Sequence, residues 1–154
     1  MYNNKNQGIL KFLSQDKVSF LNCKNWEETI YEVSSPLLQC NSLTTKYIDC
    51  MIDEIKYYGP YNFITDGVVL AHAKPISNET RIDIAVGISE KGILFCDKKK
   101  AYVILVLSVD ATDNHLNILR DILIVFGVQT NVEQLIALKT KKSVVSFFEE
   151  KLAT

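Results

Sequence analysis

The sequence predicts an α/β fold: a single-domain sandwich whose mixed, mostly parallel β-sheet is covered by helices on both faces. Three observations point there. Apolar residues recur at helical spacing in the first and last thirds of the chain, with strand-like stretches between them. Ala101 to Val109 is apolar on both faces and rich in branched residues, as a central strand covered on both sides must be. Ile82, Ile84, Val86 and Ile88 alternate with Arg81, Asp83, Ala85 and Gly87, a period of two that marks a strand with one face on a core. The 154 residues are 47 % hydrophobic and 23 % charged, which suits one domain over residues 1–154 and excludes a disordered chain. Prolines and glycines are spread singly, and no linker, repeat or low-complexity tract divides the sequence.

In chain order, Val18 to Leu21 is a short strand candidate. Trp26, Ile30, Val33 and Leu37 then form one helical face, with Asn25 as N-cap and Glu28 as its capping-box partner. Pro36 conflicts with that helix, because inside it the ring would meet the Glu32 carbonyl and a hydrogen bond would be lost. Alternatively, Ser35-Pro36 restarts a second helix as N-cap and first residue. Thr45 to Tyr57 is helical, with Ile48, Met51, Ile52 and Ile55 on one face and Gly59-Pro60 as the stop. Tyr61 to Thr65 and Val68 to Ala71 are short strands around an Asp66-Gly67 turn. After the strands, Leu116, Leu119, Leu123 and Phe126 share a helical face, capped by Asp113 or Asn114 and stopped at Gly127. Asn131 to Leu138 and Ser143 to Leu152 complete the chain as two shorter helices.

Several function classes lose their support. With 17 basic and 18 acidic residues and a net charge of -1, the chain has no electrostatic footprint for nucleic acid or a membrane surface. It has no phosphate-binding P-loop, no GxGxxG after a strand, no GxSxG elbow and no HExxH. Cys23, Cys40, Cys50 and Cys96 form no CxxC pair, which fits a reducing cytosol better than a disulfide framework. MYNNKNQG lacks the basic and apolar regions of a signal peptide, and the apolar run Ala101 to Leu107 is far short of the ~20 residues that span a bilayer. A cytoplasmic protein is expected, with no membrane insertion. No metal site and no cofactor are expected, since the two histidines have no ligand cluster around them.

Those histidines are His72 and His115. His72 ends the β-like run Gly67-Val68-Val69-Leu70-Ala71 and is followed by Ala73-Lys74-Pro75. It is either a strand-end histidine bonded to a neighbouring loop or a nucleophile, whose neutral ring offers a lone pair near pH 7. His115 falls in the first turn expected for the helix after Asp113-Asn114, where free N–H groups and the helix dipole attract phosphate; a plain surface histidine fits there too. Both lie at junctions that follow strands, where sites gather in α/β folds. The basic clusters Lys98-Lys99-Lys100 and Lys139-Lys141-Lys142 read as solvated turns.

Gly59-Pro60-Tyr61, the apolar strand, the Gly67 turn and Leu70-Ala71-His72-Ala73-Lys74-Pro75 resemble the active-site signature of enzyme IIA components of the mannitol–fructose type (type 2) in the bacterial sugar phosphotransferase system. The ascorbate-type branch is the nearest, although Lys74 stands where it carries arginine, keeping the charge without the planar fork. Asp113-Asn114-His115-Leu116 is similar to the family's His-Leu pair at the start of a long helix. The agreement in element order runs from about Asn25 to the C-terminus.

The resemblance implies a phosphoryl carrier. His72 would accept phosphate from the histidine-containing phosphocarrier protein HPr, as the tele-phosphohistidine, and pass it to a IIB component serving an ascorbate-like, pentitol or hexitol system. His115 would support the phosphoryl group, with Lys74 and Lys56 as further candidates; Lys56 holds the position, sixteen residues before the acceptor, of an arginine in some mannitol-branch relatives. The family scheme needs no metal, and the sugar would not touch this component. A regulatory relative, phosphorylated but feeding no transporter, is the rival reading. A bland α/β binding domain with a chance His-Ala-Lys-Pro is the other.

Overall fold

The computed structural model describes residues 8–22, 25–96 and 99–153. Cys23 and Lys98 lie outside them. The described chain forms helices α1 (Ile9–Phe12), α2 (Trp26–Gln39), α3 (Thr45–Tyr58), α4 (Leu116–Phe126), α5 (Gln129–Ile136) and α6 (Lys141–Leu152). The strands are β1 (Val18–Phe20), β2 (Phe63–Thr65), β3 (Val68–Ala71), β4 (Asp83–Phe95) and β5 (Lys99–Ser108).

One five-stranded sheet runs in the order β1-β4-β5-β3-β2. It is mixed. β1 with β4 and β3 with β5 are parallel, whereas β2 with β3 and β4 with β5 are antiparallel. Parallel pairing thus holds at two of four strand pairs rather than at most of them. The reason is local: strands joined by a few residues, as at Asp66-Gly67, can only fold back on each other. Gly67 takes φ 83°, which a side chain would resist.

Helices cover both faces. Residues Val68 and Leu70 of β3, Ile84, Val86 and Ile88 of β4, and Val103, Leu105 and Leu107 of β5 pack with Ile118, Ile122, Leu135 and Phe148 of α4, α5 and α6. The alternate residues, Val69, Ala71, Ala85, Ile104 and Val106, pack with Ile30, Val33 and Leu37 of α2 and Tyr47, Ile48, Met51 and Ile55 of α3. The period of two in β4 therefore does not mean one wet face. The second face carries small residues because α2 lies close: a Cβ on Gly87 would stand 2.4 Å from Val33 Cγ2. Asp83 is buried as well, accepting from Lys17 Nζ at 2.7 Å, Ser42 Oγ at 2.7 Å and the Ile84 N–H at 2.9 Å.

The Asn25 cap forms as expected, its Oδ1 accepting from the Glu28 N–H at 2.8 Å. Pro36 neither breaks nor restarts the helix, which runs unbroken to Gln39. It sits in the last turn and costs the helix the one backbone bond that its N–H would have given to the Glu32 carbonyl. Gly127 ends α4 with φ −71°, so its positive-φ freedom is unused; a Cβ there would meet the Leu123 carbonyl at 2.8 Å. Among the described residues, no helix is long and apolar enough to cross a membrane.

Candidate functional site

β3 and β5 lie side by side, point the same way and leave the sheet at the same edge. Their last paired residues are Ala71 and Val106. His72 leaves the end of β3 one residue later, and beyond Ser108 at the end of β5 the chain runs through Val109 into the loop that carries His115. Leu70 faces the side of the sheet that α4 covers, while Ala71 and Ala73 flank the α2–α3 side in alternation. That alternation turns His72 toward α4, whose first residue follows His115.

His115 is not in the first turn of α4, as the sequence suggested, but is its N-cap residue, with helical dihedrals and no side-chain cap bond. Its carbonyl starts the helix by accepting from the Ile118 and Leu119 N–H groups. The preceding loop is held by Asp110, whose carboxylate accepts from the N–H and hydroxyl of Thr112 at 2.9 and 2.5 Å. Neither Asp113 nor Asn114 caps the helix. The Nδ1 atom of His115 is buried and has no hydrogen-bond partner among the described residues. A buried nitrogen without a hydrogen-bond partner is costly to keep.

A residue that the sequence reading did not single out organises the other side. Tyr47, in the first turn of α3, is wholly buried. Its hydroxyl donates to the Leu107 carbonyl at 2.7 Å and accepts from the Ala73 N–H at 3.1 Å. The Ala73 carbonyl, at 3.3 Å, is a second acceptor. Burial above all pushes its pKa up to about 12, so the phenol stays protonated.

His72 is exposed at the surface, yet enough protein surrounds its ring to desolvate it. Desolvation is the chief reason its pKa lies below the usual 6.5; Glu54 raises it and His115 lowers it. The two imidazoles are thus near enough for charge on one to disfavour charge on the other. The outcome is a neutral ring near pH 7, the form with a lone pair to offer. Because the folded value is depressed, any stability tied to this group is complete above about pH 6.5 and is lost as the pH falls through the folded value.

Beside desolvation, the charges that shift the His72 pKa are those of Glu54 and His115. Lys74 is exposed beside Pro75. Lys56 is exposed two residues past Glu54, so on α3 the two side chains point far apart around the axis. The basic clusters lie elsewhere: Lys99 stands over the Phe63 ring and 4.0 Å from Asp66, and Lys139 pairs with Glu90 at 3.1 Å. Glu54→Gln should lower the His72 pKa further, because it removes the charge that raises it. An NMR titration of the ring checks this; an unmoved or higher midpoint would show that Glu54 does not act on His72.

Two histidines delivered by adjacent parallel strands, one of them neutral and open to a partner, suit group transfer between proteins. Comparison with known proteins agrees. Residues 11–151 match the family described as "Phosphoenolpyruvate-dependent sugar phosphotransferase system, EIIA 2", and the chain belongs to that family of phosphoryl-carrier, phosphotransferase components. The mannitol-specific cryptic phosphotransferase enzyme IIA component of Escherichia coli (strain K12) is 25 % identical over 120 residues, 77 % of this chain and 82 % of the relative. A Streptococcus pyogenes M1 GAS crystal structure described as a PTS IIA domain shares the fold with TM-score 0.81 at 24 % identity, with all of both chains covered. The Escherichia coli structure titled as a complex of enzyme IIAMTL and phosphorylated enzyme IIBMTL gives TM-score 0.77 at 12 % identity, covering 90 % of this chain and 97 % of that one.

Proposed function

We propose that this chain accepts a phosphoryl group from phosphorylated HPr on His72 and hands it to a IIB component of a sugar-uptake system, working in the cytoplasm. The observation that carries this is the juxtaposition of His72, neutral and exposed, with His115 at the start of α4. The lone pair of the His72 tele nitrogen, Nε2, forms the new N–P bond as the donor's N–P bond breaks. The electron pair of the broken bond returns to the donor ring, which leaves as a neutral imidazole when its other nitrogen is protonated. Little covalent help is needed, so positioning and charge stabilisation dominate.

The product carries up to about two negative charges near neutral pH. The N-terminal end of α4 offers the positive end of the helix dipole, and His115 a ring nitrogen with no partner among the described residues. Lys74 and Lys56, both exposed, would add diffuse positive charge. Glu54 works the other way, opposing tight retention of the group, which a carrier has to release.

The test is a two-stage transfer. With phosphorylated HPr, the chain should take up one acid-labile phosphoryl group, and adding a IIB component should discharge it. Uptake without discharge to any IIB component would instead support a regulatory relative. Absence of uptake would overturn the carrier reading.

A further inference from the structure

Resting on that carrier reading, we infer that Tyr47 is a positioning residue for the transfer: its hydroxyl bridges the two strand exits that deliver His72 and His115, and so sets the spacing of the two imidazoles. Backbone pairing between β3 and β5 stops at Ala71 and Val106. Beyond that rung the strands no longer pair, and the Tyr47 hydroxyl bonds to both, through the Ala73 N–H on one side and the Leu107 carbonyl on the other. His72 is thereby held between the last backbone rung and a side-chain rung. The same hydroxyl steadies β5 two residues before Val109, whose carbonyl accepts from Thr80 Oγ1 at 2.7 Å and from which the His115 loop departs.

The phenol comes from α3, on the opposite face of the sheet from α4. It is wholly buried and so touches neither incoming carrier. Its influence on the reaction must pass through the backbone of its neighbours. Tyr47→Phe keeps the ring that fills the core and deletes only the bridge. His72 would then be tethered on one side, and small misplacements of a reacting atom lower transfer rates steeply.

The experiment compares wild type, Tyr47→Phe and Val144→Ala in rapid-quench single turnovers from phosphorylated HPr. Val144 is buried beneath the sheet in α6 and serves as a control for lost stability alone. Tyr47→Phe should still label one group at His72, with transfer at saturating donor slowed about ten- to a hundredfold and the half-saturating donor concentration unchanged. Val144→Ala should keep the wild-type rate per folded molecule. Equal rates in the two variants would overturn the inference, whereas an unlabelled wild type would overturn the carrier reading instead. If Tyr47→Phe does not fold, NMR of wild type decides: a protected Tyr47 hydroxyl proton that shifts when His72 is phosphorylated supports the bridge. A freely exchanging or unshifted proton refutes it.

Discussion

His72→Ala is expected to take up no phosphate from phosphorylated HPr. The variant keeps the fold, because the His72 side chain is exposed. What it loses is the lone pair that would form the N–P bond, for which no arrangement of neighbours compensates. His115 should not substitute. Its Nδ1 is buried and its backbone is committed to starting α4, so an approaching carrier meets His72 first. Acid-labile label counted per chain, with peptide mapping, measures this. Full labelling of His72→Ala would remove His72 from the centre of the site.

His115→Ala should accept phosphate at His72 still, but more slowly by up to ~10²–10³-fold, the usual cost of losing one preorganised donor to developing charge. The expectation rests on the unpartnered Nδ1 and on the electrostatic coupling of the two rings. A second effect has a definite sign. His115 helps hold the His72 pKa down, so the variant's His72 should titrate higher than the wild type's. Rapid-quench labelling and an NMR titration of the same sample separate the two. A wild-type rate with an unmoved midpoint would make His115 structural.

Much of this could be read from residue spacing. The α2 and α3 faces, the Asn25 cap, the Asp66-Gly67 turn and the central β5 strand follow local rules that a chain obeys whatever its neighbours do. What escaped were features set by the far side of a contact. Ala85 and Gly87 resemble the open face of a half-buried strand, yet their small size reflects the nearness of α2. Asp83 resembles a surface charge until Lys17, just ahead of the neighbouring strand β1, is brought to it. Tyr47 sits in a helix face otherwise filled by Ile48, Met51, Ile52 and Ile55, and nothing periodic marks it as the one whose hydroxyl reaches two strand ends. Glu54 likewise looks like ordinary helix surface. Both histidines stand out as candidates because their chain neighbours form a recognisable pattern; the residues that tune them have no such signature, since they act across the fold rather than along the chain.

The route by which β3 and β5 come to lie together bears on how the protein acquires its activity. They are parallel neighbours, yet the whole of β4 intervenes between them in the chain and pairs on the far side of β5. Forming that pair means closing a long loop before any contact compensates the lost entropy, and such pairings are slow to appear during folding. Helices and hairpins can form early from local contacts alone, but they bring only one histidine each. The proposed carrier site therefore depends on the long-range β3–β5 pairing, and a newly made chain holding only its helices and hairpins would not yet present both histidines together.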